Sequence, residues 1–263
     1  MSDGLIQTVL LGVIEGITEF LPISSTGHLL IAEKLGLGAR SDMFNIVIQA
    51  GAILAVTVIY WQRLWNLLIE FSKPENRQYA LKLIVSFLIT GALGFILINK
   101  LGFKLPERIQ PIAWALIIGG VWILVAEWLA AKRPDHAEVT WLGAIVVGIA
   151  QIVAGVFPGT SRSGATIFAA MLIGGTSRVA ATEFAFLVGI PTMYAASASQ
   201  LLKTVKGSVA VDDWTQLMVG FLVSAIVAFA AVKWLLRYIQ THRFTVFAWY
   251  RIAVGVLLLA FIR

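Results

Sequence analysis

The chain has 263 residues, 59% of them hydrophobic and 13% charged, with a mean hydropathy of +0.88. Ordinary soluble domains are about 45–50% apolar and about 25% charged, and a soluble fold of this length cannot bury the excess, so lipid is the expected solvent. The net charge of +6 is scattered over short loops, which excludes nucleic acid as a partner and points to headgroup contact and topology, while the absence of cysteine excludes disulfides, thiolate metal sites and cysteine nucleophiles.

The opening Met1-Ser2-Asp3-Gly4 carries no basic n-region, and the apolar run behind it ends in no small-residue cleavage site, so it reads as mature protein rather than a signal peptide. Residues 4–38 are apolar but interrupted by Glu15, Glu19, Pro22 and the polar run Ser24-Ser25-Thr26-Gly27-His28. Three clean spans of the length a bilayer needs follow, at 44–61, 80–99 and 111–130. Residues 140–176 are again apolar and interrupted, at Gln151, Gly155, Pro158 and Gly159-Thr160-Ser161-Arg162-Ser163-Gly164. Three more spans close the chain, at 181–202, 214–236 and 245–262. Trp61, Trp65, Trp114, Trp128, Trp141, Trp214 and Trp234 sit near segment ends, as an interfacial belt requires. Residues 64–72 read as a surface-lying amphipathic turn.

Each limb of the two interrupted stretches is too short to cross a bilayer. The expected form is a re-entrant helical hairpin whose Pro/Gly-rich tip is buried in protein or lines a cavity. The stretches also match each other. At an offset of 136, Gly12 falls on Gly148, Pro22 on Pro158, Ser24 on Thr160 and Ser25 on Ser161; one residue of slip then puts Gly27 on Gly164. A hairpin keeps its side and three spans change it, so the second copy enters from the opposite face. The fold expected is therefore an all-α integral membrane protein with an inverted-topology repeat, each half a re-entrant hairpin plus three transmembrane helices. It forms a single membrane domain over 1–263, with repeat one at 1–131 and repeat two at 139–263. The loops after spans one, three and five carry slightly more Lys and Arg than those opposite (Lys34, Arg40, Lys100, Lys104, Arg108, Lys203, Lys206, Arg263), which places both termini outside.

Chemistry concentrates at the two tips. Glu15 and Glu19 are four apart on one helix face, and intramembrane carboxylates need a cation, a metal or a proton. Ser24, Ser25 and Thr26 follow Pro22 as at a helix start, and His28 lies three residues beyond Ser25 on the same face. Arg162, between Ser161 and Ser163 in a Gly-rich turn, combines a helix N-terminus with a guanidinium, which makes an anion site suited to phosphate. Pairing with Glu15 or Glu19 is the structural alternative. The repeat is chemically asymmetric: acid–base groups and hydroxyls in the first tip, the cation in the second. Phosphoryl transfer needs that division. Glu127 and Glu183 are expected at the interface. Arg251 lies inside the last span and requires a partner that the sequence does not name.

Glu15-Gly16-Ile17-Thr18-Glu19-Phe20-Leu21-Pro22-Ile23-Ser24-Ser25-Thr26-Gly27-His28 and Pro158-Gly159-Thr160-Ser161-Arg162-Ser163-Gly164 resemble the two motifs of the bacterial undecaprenyl-diphosphatase family, also known as bacitracin-resistance proteins. The resemblance spans essentially the whole chain. It implies a phosphatase of the bacterial cytoplasmic membrane that removes the terminal phosphate of undecaprenyl diphosphate, recycles the lipid carrier for peptidoglycan and other envelope polymers, and confers bacitracin resistance. It also implies a site facing the periplasm and a divalent cation, magnesium or calcium. The roles expected are Ser25 as nucleophile, with metal-activated water or His28 itself as the variants; His28 as general base and then acid; Glu15 and Glu19 as metal ligands or as orienters of His28; and Arg162 as catalytic cation. Ser24, Thr26, Thr160, Ser161 and Ser163 are expected to bind the diphosphate. The partners implied are the undecaprenyl diphosphate lipid and the bilayer, with a homodimer left open. The alternative function is a transporter or flippase of the polyprenyl phosphate carrier.

Overall fold

A computed structural model describes residues 2–38, 40–99, 109–132, 136–206 and 213–261. Lys100, Lys104, Arg108, Arg133 and Arg263, on which the charge reading of topology partly rests, lie outside them. The described residues form an all-helical chain: α1 (Ser2–Thr18), α2 (Ser25–Ala32) continued by a π-helical turn at Glu33–Leu37, α3 (Asp42–Ile59), α4 (Trp61–Ile69), α5 (Pro74–Asn99), α6 (Ile109–Ala130), α7 (Trp141–Val156), α8 (Arg162–Leu172), α9 (Arg178–Lys206), α10 (Trp214–Tyr238) and α11 (Thr245–Phe261).

Five helices are long and apolar enough to cross a membrane: Asp42–Ile59, Pro74–Leu97, Gln110–Ala130, Arg178–Ser199 and Trp214–Tyr238. They coincide within a few residues with the first five expected spans. The sixth expected span, 245–262, corresponds to α11. Its 17 described residues reach about 25 Å at ~1.5 Å per residue, at the lower end of what a bilayer span needs. The amphipathic stretch is a helix in its own right, α4, which leaves Trp61, Trp65, Leu68 and Ile69 exposed on one side of the bundle. Beyond it, Lys73 bonds Glu70 and holds its carboxyl below the ordinary value, with Asn76 as a second donor.

The hairpin helices of each half pack on a long helix of the other half. α1 lies on α10, and α7 lies on α5. Both pairs approach to backbone contact. A Cβ on Gly16 would lie 2.8 Å from Ser224 O, and one on Gly148 would lie 2.7 Å from Ser86 O. Gly12, which matches Gly148 in the repeat, likewise faces Gly220 O at 3.0 Å. Only glycine admits these distances, which is why small residues recur where the alignment puts them.

The ends of each hairpin lie side by side. Arg40, past α2, reaches back to Gly4 O at 3.3 Å and Gln7 Oε1 at 3.2 Å. In the second half, Thr140 Oγ1 donates to Gly174 O at 3.5 Å, and His136 pairs with the strand-like residues around Thr176. Thr57 near the end of α3 lies beside Tyr194 midway along α9 at 3.3 Å, and Arg63 on α4 pairs with Glu183 near the start of α9 at 3.3 Å. The order of these contacts makes α3 and α9 antiparallel.

Glu127, three residues from the end of α6, is 1% exposed. Its carboxylate takes a forked contact from Arg178, with Nη2 at 2.6 Å and Nε at 3.0 Å, and accepts from Phe244 N at 2.9 Å. One side chain thus fastens α6, α9 and the entry to α11. Glu127→Gln removes the charge facing Arg178. Losing one partner of a buried pair costs about 3–5 kcal/mol, and the neutral isostere should fall near the lower end. A depressed melting temperature in detergent checks this; an unchanged one refutes it.

Candidate active site

Each hairpin tip is a short turn that ends in a capped helix. Phe20, Leu21 and Ile23 are buried in the main core and anchor the first turn. Ser24 caps α2, its side chain accepting from Gly27 N at 3.4 Å; Ser161 caps α8, accepting from Gly164 N at 3.2 Å. Both caps have positive φ, 76° and 70°, the described non-glycine residues that do. A serine held there costs about 1–3 kcal/mol and persists only where its surroundings impose it.

The caps revise the repeat alignment. Ser24 corresponds to Ser161 and Gly27 to Gly164, an offset of 137 at both positions, so the slip already lies ahead of the cap. Ser25 and Arg162, each the residue after its cap, are then equivalents. One carboxylate joins them. Glu19 accepts a short hydrogen bond from the Ser25 hydroxyl through one oxygen and pairs with Arg162 Nη2 at 2.5 Å through the other. Ser163 Oγ donates to Leu21 O at 3.0 Å and lies 3.1 Å from Ser161 Oγ, which ties the tips together directly. Arg162 Nη2 also meets the sulfur of Met193 on α9.

A cavity of about 870 Å³ opens at this junction. Glu19, Ser24, Ser25, Thr26, Ser161 and Arg162 line it. Asp42 at the start of α3, Leu97 near the end of α5 and Ala196 on α9 also line it. Gly155 forms part of the wall, and a Cβ there would meet nothing within 4 Å. Gly155→Phe should therefore enter the cavity without disturbing packing. Turnover is expected to fall on the order of 100-fold, the scale of substrate misplacement, with an undiminished melting temperature; full turnover would mean that substrate does not use this cavity.

The remaining expected residues separate by position. Glu15, one turn back on α1, lies beside Glu19, is 1% exposed and leaves its Oε2 without a hydrogen-bond partner. Thr160 faces a second, largely apolar cavity of about 610 Å³ behind the second turn. His28 does not line the polar cavity. Its Nδ1 donates to Ser24 O at 2.8 Å, which leaves Nε2 of the neutral ring to accept from Tyr250 OH at 2.8 Å, and the two rings stack.

The motifs did not reveal four further participants. Gln151 and Thr90 bond each other at 2.8 Å on the cavity wall. Tyr250 holds His28. Arg251, whose need for a partner was visible in its depth, bonds main-chain carbonyls of both turns.

A family model described as bacitracin resistance protein BacA matches residues 8–257. The chain is 70% identical over 255 residues to an undecaprenyl-diphosphatase of Rhizobium etli, covering 97% of this chain and 96% of that protein. It is 69% identical over 255 residues to one of Rhizobium leguminosarum bv. trifolii, with the same coverage. It is 58% identical over 260 residues to one of Xanthomonas oryzae pv. oryzae, covering 98% and 97%.

Proposed function

The chain belongs to the bacitracin resistance protein BacA family, and on that premise we propose that it hydrolyses undecaprenyl diphosphate to undecaprenyl phosphate and inorganic phosphate. The reaction recycles the lipid carrier for peptidoglycan and envelope polymers and, by depleting the diphosphate, confers bacitracin resistance. The observation that supports this most directly is the carboxylate of Glu19 bridging a serine hydroxyl from one turn to a guanidinium from the other, on the wall of one cavity.

The chemistry follows from that bridge. An incoming diphosphate competes with Glu19 for Arg162, helped by Ser161 on the cavity wall and the N-terminus of α8. Glu19, released from its ion pair, keeps its contact with Ser25 and accepts the hydroxyl proton. Ser25 Oγ attacks the terminal phosphorus, the bond to the bridging oxygen breaks, and undecaprenyl phosphate leaves. Glu19 passes that proton to the departing phosphate oxygen; water then attacks the phosphoserine, Glu19 takes its proton and returns it to Ser25 Oγ as the phosphorus–oxygen bond breaks, and inorganic phosphate departs. This reading assigns the serine proton to the carboxylate that touches it and gives His28 the task of fixing the Ser24 cap.

The magnesium or calcium ion that the family resemblance implies fits the residues present. Glu15 Oε2 is a buried oxygen with no partner beside a second carboxylate, and hard cations of this kind take carboxylate and phosphate oxygens. Glu15 and Glu19 would hold it, and when bound it would neutralise charge on the phosphate oxygens.

The same reading extends to the membrane. Each half would be a re-entrant hairpin with its following helices, repeat one over 1–131 and repeat two over 139–263, inserted in opposite senses within a single domain. The adjacent hairpin ends and the antiparallel α3 and α9 support it. On this reading the cavity would open to the periplasm. Pairing into a homodimer is a further expectation, read out by light scattering in detergent.

Purified protein in detergent, where vectorial transport is impossible, should release one phosphate per undecaprenyl diphosphate and lose that activity with a chelator. No phosphate release would refute the hydrolase reading and leave the flippase. Release that survives the chelator would refute the metal assignment alone.

A further inference from the structure

Arg251 is 1% exposed inside α11, and its guanidinium makes five hydrogen bonds, all to main-chain carbonyls. Nη1 donates to Pro22 O at 3.1 Å and Thr160 O at 3.0 Å; Nη2 donates to Gly159 O at 2.9 Å and Ala115 O at 3.0 Å; Nε donates to Leu116 O at 3.4 Å. All five N–H groups are used. They gather three segments: the first turn, the second turn and α6.

We infer that Arg251 is a positioning residue that locks the two hairpin turns in register, so that Ser25 and Arg162 meet across Glu19. Pro22 and Gly159 are equivalents at the offset of 137, each two residues ahead of a positive-φ serine cap. Fixing both carbonyls fixes both caps, and each cap is followed directly by a residue that Glu19 binds. Strained caps need surroundings that over-determine them, and a planar fork bonded to both turns at once supplies that. The arrangement is costly, since a buried cation facing only neutral carbonyls is stabilised less than a well-packed apolar side chain would be. A fold that needed only filling at this point would do better with leucine. Lysine does not substitute, because a single ammonium with three donors cannot span three segments. The site around the guanidinium is shaped for it: a Cβ on Gly119 would collide with Nη2 and Cζ. The side chain does not line the polar cavity, so its effect on chemistry would pass through the turns.

The kinetic arm of the test rests on the phosphatase reading; the structural arm does not. Full-length Arg251→Lys and Gly119→Ala proteins in detergent are compared with Glu127→Gln, which weakens the same helices away from the turns. Amide hydrogen exchange at residues 22–28 and 159–164 and the kcat and KM of phosphate release from undecaprenyl diphosphate are measured. In Arg251→Lys both turns should exchange about tenfold faster together, as loss of a charge-assisted hydrogen bond allows. Its kcat should fall on the order of 100-fold with KM within a few-fold. Gly119→Ala should change both in the same direction, and it decides the matter if the lysine variant does not fold. Glu127→Gln should lower the melting temperature and move neither readout. The inference is overturned if Arg251→Lys matches Glu127→Gln in both, or if only one turn loosens. If the wild-type protein releases no phosphate, the phosphatase reading fails, and the exchange result still decides the role of Arg251.

Discussion

Arg162→Ala is expected to lose about 1000-fold or more of phosphate-releasing turnover, the scale on which a guanidinium stabilises a transferring phosphoryl group. Arg162 is the cation on the wall of the cavity beside Ser25, and it projects from a helix N-terminus whose dipole and free N–H groups favour the same anion. The substitution also removes the partner of Glu19, a carboxylate whose side chain is 4% exposed, and an orphaned buried charge destabilises by about 3–5 kcal/mol. Lost activity alone would therefore be ambiguous. The double variant Glu127-intact, Arg162→Ala with Glu19→Gln separates the causes. Neutralising Glu19 should return the melting temperature toward wild type while turnover stays absent. Arg162→Lys should recover only a small part, because an ammonium replaces a bidentate fork with a point charge. Near-normal turnover by Arg162→Ala would remove the second turn from the chemistry altogether.

The helices were legible because uninterrupted apolar runs of span length have one physical reading, and the two turns were legible because Pro, Gly and Ser cluster where the runs break. What lay beyond reach depended on three-dimensional detail. The slip that Gly27 and Gly164 revealed lies ahead of Ser24 and Ser161 rather than after them, and only the cap geometry shows where. Spacing of three put His28 on the face of Ser25, but residues three apart still differ by about 60° around the axis. That rotation is enough for Ser25 to face Glu19 while His28 faces Tyr250. The burial of Glu127 was out of reach because its partner Arg178 is 51 residues away. Arg251 could not be matched to any side chain because its partners are carbonyl oxygens, which every residue carries. The chemical asymmetry of the tips was readable from composition alone; the single carboxylate that unites them required the fold.

Glu19→Gln and Ser25→Ala together decide how the proton and the phosphoryl group move. Glutamine can still accept from the Ser25 hydroxyl, but it cannot take the proton, so kcat should fall about 100- to 10,000-fold, the usual worth of a positioned base. The same change frees Arg162 from its ion pair, so the diphosphate no longer has to displace a carboxylate, and its KM should fall. A drop in kcat with a drop in KM is the mark of a group that restrains the ground state and acts in the transition state. Ser25→Ala should abolish turnover without that gain in affinity, since Glu19 then keeps its hold on Arg162. Acid-quenched wild-type protein, incubated with substrate labelled in the terminal phosphate, should carry label on Ser25, and Ser25→Ala should carry none. If Ser25→Ala retains turnover while Glu19→Gln does not, the attacking group is water activated by Glu19, and the serine serves only as a ligand. If both variants turn over normally, the bridge between the two turns is structural glue, and the site must be sought elsewhere in the cavity.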